Sequence, residues 1–169
     1  MKIGICGGTF DPFHRGHLEP VLAVRGTMQW DRLLYVPAFR QPFKADRDSA
    51  SGYHRFAMTV LGTEDRDGVF VTPLELERGA ISYTVDTLEA LRAEHPEATL
   101  DWIIGDDNVA GLPKWKNLDR IFELANFAVL ARVTEGVGQT LLSVPAQTGV
   151  SAPHALAERV TEPQQRGRC

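Results

Sequence analysis

Residues 7–17 read Gly7-Gly8-Thr9-Phe10-Asp11-Pro12-Phe13-His14-Arg15-Gly16-His17, where an apolar run, Ile3-Gly4-Ile5-Cys6, gives way to a helical pattern. A glycine pair directly after a buried strand lets the backbone approach a ligand and adopt positive φ. The helix that starts near His17 turns its free N–H groups and positive dipole end toward the same place. Two histidines three residues apart then converge on whatever anion is held there, and a nucleotide phosphate is its natural occupant. Read blandly, the stretch is a glycine turn with two incidental histidines. The strand–turn–helix setting of His-x-Gly-His favours the ligand. The dinucleotide signature G-x-G-x-x-G is absent, which argues against a nicotinamide-dependent dehydrogenase.

Working outward, four further apolar runs follow: Leu33-Leu34-Tyr35-Val36, Val69-Phe70-Val71, Trp102-Ile103-Ile104 and Phe127-Ala128-Val129-Leu130. They are continuous rather than alternating, as expected of strands covered on both faces. Helical faces lie between them. Leu18, Val21, Leu22 and Ala23 make the first, and Phe56, Ala57, Val60 and Leu61 the second. Val85, Leu88 and Leu91 make a third, and Leu118, Ile121, Phe122 and Ala125 a fourth. This alternation predicts an α/β fold with a doubly wound, Rossmann-like parallel sheet. Such sheets bind ligands beyond the carboxyl ends of their strands, where the strand order reverses. The loops after Cys6, Val36, Val71, Ile104 and Leu130 are therefore expected around one crevice.

The 169 residues suit a single domain. With 18 Lys+Arg against 22 Asp+Glu, the formal charge is −4, which argues against a nucleic-acid backbone binder. It leaves room for a small anionic substrate held by a few local cations. No stretch approaches the roughly 18 apolar residues of a membrane span. The start, Met1-Lys2-Ile3-Gly4-Ile5, is no signal peptide, so a cytoplasmic protein is expected. Cys6 reads as a buried, reduced residue, and Cys6 and Cys169 suggest neither a zinc site nor a disulfide framework. From Val133 to Cys169 the chain has no Phe, Trp, Tyr, Asp or Lys, and prolines at 145, 153 and 163 interrupt it. The expected division is an α/β domain over 1–132 and a divergent or disordered tail over 133–169.

Gly8-Thr9-Phe10-Asp11-Pro12 with His14-Arg15-Gly16-His17 resembles the GTFDP and HxGH signatures of the nucleotidyltransferase superfamily. Leu74-Glu75-Leu76-Glu77-Arg78-Gly79 with Ser82-Tyr83-Thr84-Val85-Asp86-Thr87-Leu88 resembles the bacterial nicotinate-nucleotide adenylyltransferases. So does Ile103-Ile104-Gly105-Asp106-Asp107 with Leu112-Pro113-Lys114-Trp115. The likeness runs from about Met1 to Arg132. It implies that nicotinate mononucleotide attacks the α-phosphorus of ATP, giving nicotinate adenine dinucleotide and pyrophosphate in NAD biosynthesis, with Mg²⁺ accompanying ATP.

The same resemblance implies roles. His14 and His17 would bind the phosphates and stabilise the transition state, while Gly8 and Thr9 supply close contacts. Lys44 would reach phosphate from the loop after the second strand, although Phe43 stands where many relatives place a histidine; the bland alternative is a solvated lysine. Asp107 would lie at the nucleotide crevice, and Asp106 beside it would be solvated or cap the next helix. Thr84 would meet the nicotinate carboxylate, and Trp115 would stack on the pyridine ring rather than serve only as a core aromatic. Trp102 reads as core. Arg132 matches an arginine that leads toward a Ser/Thr-rich phosphate motif, and nothing after it has that spacing. Two readings of the tail stay open: a member that closes its ATP site differently, or a truncated or frame-altered end. Two alternatives to the active enzyme follow, a nucleotide-binding remnant of the family or a related transferase with another acceptor, such as pantetheine phosphate. Oligomeric state is not legible.

Overall fold

The computed structural model describes residues 1–42, 49–130 and 141–144. Lys44, Arg132 and the tail other than 141–144 lie outside the described residues. The five apolar runs form five parallel strands: β1 (Lys2–Gly8), β2 (Arg32–Pro37), β3 (Val69–Val71), β4 (Thr99–Gly105) and β5 (Asn126–Leu130). A sixth, β6 (Leu141–Val144), runs antiparallel beside β5. The order is β3-β2-β1-β4-β5-β6, so the winding reverses between β1 and β4. The helices are α1 (Arg15–Met28), α2 (Gly52–Leu61), α3 (Leu74–Arg78), α4 (Thr84–Glu94) and α5 (Leu118–Leu124). A 3-10 helix spans Asp106–Lys114. The expected doubly wound fold is present, with α3, β6 and the 3-10 helix in addition.

β1, β2, β4 and β5 are continuous in hydrophobicity because each feeds two cores. Ile3 and Ile5 of β1, Leu100 and Trp102 of β4 and Phe127 of β5 pack under α4 and α5, on Val85, Leu88, Leu91, Ile121 and Phe122. The opposite face offers smaller residues, Cys6 and Ala128, beside Leu33, Tyr35 and Ile103, to Leu18, Val21, Val24 and Met28 of α1. Trp102 and Cys6 are core residues, as expected.

Three expectations are corrected. Phe70 on edge strand β3 is 47% exposed, and the Arg32 guanidinium sits 5.3 Å from its ring centroid. On α1 the buried stripe is Leu18, Val21, Val24 and Met28, with Ala23 exposed. The larger reversal is α2. Leu61 is 66% exposed, Val60 and Ala57 are also exposed, and the buried residues are Arg55, Thr59 and, just beyond the helix, Thr63. Burial works there because each hydroxyl donates one turn back: Thr59 Oγ1 to the Arg55 carbonyl and Thr63 Oγ1 to the Thr59 carbonyl, both at 2.8 Å. Among the described residues no helix is long and apolar enough to cross a membrane.

Candidate active site

The reversal between β1 and β4 opens a crevice of about 1950 Å³ at the carboxyl ends of the strands, where doubly wound sheets bind their ligands. Gly8, Thr9, His14, His17, Thr84, Asp107 and Trp115 all line it. These are all the predicted site residues that lie within the described stretches.

One part of the lining is built from β1 and α1. Gly7 and Gly8 still belong to the strand, and the positive φ falls on Phe10, at 52°, rather than on either glycine. Crowding explains the glycines instead. A Cβ on Gly7 would lie 2.6 Å from the Trp102 ring, and one on Gly8 would lie 2.7 Å from the Phe10 ring. The tight turn aims Thr9 inward, where its buried hydroxyl has no partner among the described residues. A buried hydroxyl in that state is costly unless a ligand supplies the missing bond.

α1 begins at Arg15 with His14 as its N-cap, slightly earlier than the sequence suggested. The His14 backbone N–H donates to Nδ1 of His17 at 3.3 Å. An accepting Nδ1 puts the proton of a neutral imidazole on Nε2, so that the nitrogen remote from the backbone is a donor. The two imidazoles stack with centroids 3.9 Å apart and planes 25° from parallel. Phe10 and Phe13 pack on His17, and Tyr35 Oη donates to the His17 carbonyl at 2.9 Å. Cys6 also borders the crevice. Burial pushes its thiol up to about 12, partly offset by a hydrogen bond with Tyr35, so it is no nucleophile at neutral pH.

Another part of the lining comes from the start of α4 and the segment between the 3-10 helix and α5. Thr84 is the first residue of α4, and Trp115 directly follows the 3-10 helix. The indole rests on the core, 6.0 Å from the Phe127 ring, and still borders the crevice. Next to it, Lys116 Nζ binds Asp86 Oδ1 at 3.0 Å and lies 4.6 Å from the Tyr83 ring centroid, joining the Trp115 loop to α4. Asp106 is the first residue of the 3-10 helix, whose N-cap is Gly105, and its Oδ1 accepts the Asp107 N–H at 3.0 Å. Asp107 remains exposed beside the crevice.

Two buried charged residues of the crevice, Arg55 and Glu75, received no role in the sequence reading. Arg55 is buried under the loops after β1 and β2. Its only signal was the four-residue spacing of Arg55, Thr59 and Thr63, a polar stripe through an otherwise apolar helix. Glu75 on α3 is buried and accepts from Thr87 Oγ1 at 2.5 Å. Desolvation raises its pKa, against hydrogen bonds from Ser82 and Thr87 and the charge of Arg78. No periodicity marks it, because α3 has only five residues.

The Cytidylyltransferase-like family model matches residues 5–158. A probable nicotinate-nucleotide adenylyltransferase of Gemmatimonas aurantiaca is 38% identical over 153 residues, which is 90% of this chain and 72% of that protein. One from Desulfatibacillum aliphaticivorans is 40% identical over 136 residues, 80% of this chain and 62% of the other. Among solved structures, Plasmodium falciparum nicotinic acid mononucleotide adenylyltransferase complexed with NaAD superposes with a TM-score of 0.67. It is 19% identical, over 81% of this chain and 67% of that one. At that identity the superposition speaks for the fold.

Proposed function

The chain belongs to the cytidylyltransferase-like family and, within it, to the nicotinate-nucleotide adenylyltransferases, and from that premise we propose that it joins ATP to nicotinate mononucleotide. The acceptor's phosphate oxygen forms a bond to the α-phosphorus, the bond from that phosphorus to the bridging oxygen breaks, and pyrophosphate leaves with the electron pair. The acceptor phosphate has a second pKa near 6, so it is largely ionised at pH 7 without a general base. What remains for the protein is alignment and stabilisation of charge building on the phosphate oxygens.

The observation that carries this reading is that His14, His17 and Thr9, whose buried hydroxyl has no partner among the described residues, line the same crevice as Thr84 and Trp115. In this reading His17 donates from Nε2 to a phosphate oxygen, His14 adds a second donor, and Gly8 lets the nucleotide approach the strand end. Asp107 borders the bound ATP, and Lys44 and Arg132 join as phosphate ligands on the strength of the sequence. Trp115 stacks on the pyridine ring, worth about 0.5–1.5 kcal/mol beyond burial, and Thr84 meets its carboxylate. Among the described residues no group of three His, Cys, Asp or Glu could cage a metal. In this reading Mg²⁺ arrives on the triphosphate, held mainly by phosphate oxygens and water.

The test is pyrophosphate release from ATP, measured with and without nicotinate mononucleotide. Release should require the acceptor, and His17→Ala should lower kcat by about 10²–10³-fold, the usual cost of losing one transition-state donor. A folded chain that releases no pyrophosphate with both substrates saturating would exclude the proposal.

A further inference from the structure

We propose that Arg55 is a positioning residue for the phosphate end of the crevice, fixing the loops after β1 and β2 through their backbone carbonyls. Arg55 is 2% exposed. Nη1 donates to the Thr9 carbonyl at 2.6 Å, and Nη2 to those of Ala38 at 2.7 Å and Phe39 at 3.2 Å. Nε donates to Ala50 at 3.0 Å. One planar group thereby ties together three segments that are far apart in sequence: the residue after β1, the two residues after β2, and the approach to α2. Asp11 strengthens the same junction from the other side, its Oδ2 accepting the Ala50 N–H at 3.0 Å.

Two features separate this arrangement from ordinary packing. First, the carbonyl it holds at 2.6 Å is that of Thr9, a crevice residue whose own buried hydroxyl has no partner among the described residues. Locking that peptide sets where the hydroxyl points. Second, no ion pair among the described residues neutralises Arg55. Burial lowers its pKa and the nearby Asp11 charge opposes that, but an arginine stays protonated at neutral pH. A buried charge without a bonded carboxylate is expensive. Here it lies beneath the loop that faces the polyphosphate, where an anionic ligand recovers part of the cost.

The inference rests on the adenylyl-transfer reading, and its test separates the two. Arg55→Lys keeps the charge but loses the fork, since an ammonium is a point donor that cannot reproduce this planar set. Misplacing reacting groups by about 1 Å costs on the order of 10²-fold. R55K should therefore lose about that much kcat/KM for ATP while KM for nicotinate mononucleotide is unchanged. Should R55K not fold, R55Q, uncharged but still planar with two donors, carries the same test. A lowered Tm with unaltered kinetics overturns the proposal, as does failure of both variants to fold, since either result makes Arg55 purely structural. A wild-type chain that binds ATP in calorimetry but does not turn over sinks the transfer reading alone. Arg55 then stands or falls on whether R55K raises the ATP Kd by about tenfold, equal to ~1.4 kcal/mol. A wild type that neither binds nor turns over removes both.

Discussion

At the scale of single residues, hydrogen bonds and packing fix polar atoms that line the crevice. His17 is held by one backbone hydrogen bond that selects its tautomer. Gly16 has a matching role. A Cβ there would lie 3.0 Å from the His14 imidazole, so the glycine between the two histidines leaves room for their stack. Glu75 is the residue whose protonation should be visible in stability. Burial raises its folded pKa, so between the ordinary carboxylate range and that raised value the folded state holds more protons than the unfolded one. The linkage sign follows: the contribution of Glu75 is greatest in acid and is lost as pH rises through the folded pKa. Glu75→Gln removes this titration. Urea unfolding across pH 4–8 should show E75Q gaining stability relative to the wild type toward high pH. A constant difference between the two would show that Glu75 does not titrate differently on folding.

At the scale of elements, α2 is the instructive case. Periodicity puts Phe56, Ala57, Val60 and Leu61 inward, because apolar stripes normally face a core. The helix turns the other way because the loops after β1 and β2 present unpaired carbonyls, and only the Arg55 face supplies donors for them. Thr59 and Thr63 can follow it inward since their hydroxyls are satisfied within the helix. Two substitutions separate the orientations. Thr59→Leu forces a larger apolar side chain into a fully buried position and should cost about 1–3 kcal/mol. Leu61→Lys, on the exposed side, should stay within about 0.5 kcal/mol. Chemical denaturation of both variants checks the pair, and the reverse ranking would restore the orientation that periodicity predicts.

At the scale of the whole molecule, the two ends of the sheet have different tasks. The carboxyl ends of the strands carry the crevice. Toward the amino ends, Asp101 is fully buried and binds Trp30 Nε1 and Asn126 Nδ2, each at 2.7 Å, and Lys2 Nζ at 3.1 Å. This carboxylate links β4 to β1, to β5 and to the residues just before β2, far from any substrate. Asp101→Ala strands three donors and should cost about 3–5 kcal/mol, as breaking a buried charged network does. The KM values of the folded fraction should be unaltered. Thermal melts with parallel kinetics test this, and a changed KM for either substrate would mean that the two ends are coupled.

The division between sequence and tertiary structure follows from which interactions are local. Five strands, their parallel arrangement and the histidine pair at the start of α1 were legible along the chain, and the resemblance to a known family singled out Thr84, Asp107 and Trp115, which line one crevice. Apolar runs, helix starts and short motifs are properties of neighbouring residues, and the doubly wound topology then dictates where strand ends meet. The burial of Arg55 and Glu75, the inward face of α2, the exposed Phe70 and the positive φ at Phe10 rather than at a glycine were decided only by the folded arrangement. Each depends on a partner distant in sequence: a carbonyl at Thr9 or Ala38 for Arg55, a hydroxyl at Thr87 for Glu75, an unpaired sheet edge for Phe70. A pattern within one segment cannot register what the rest of the molecule will require of it.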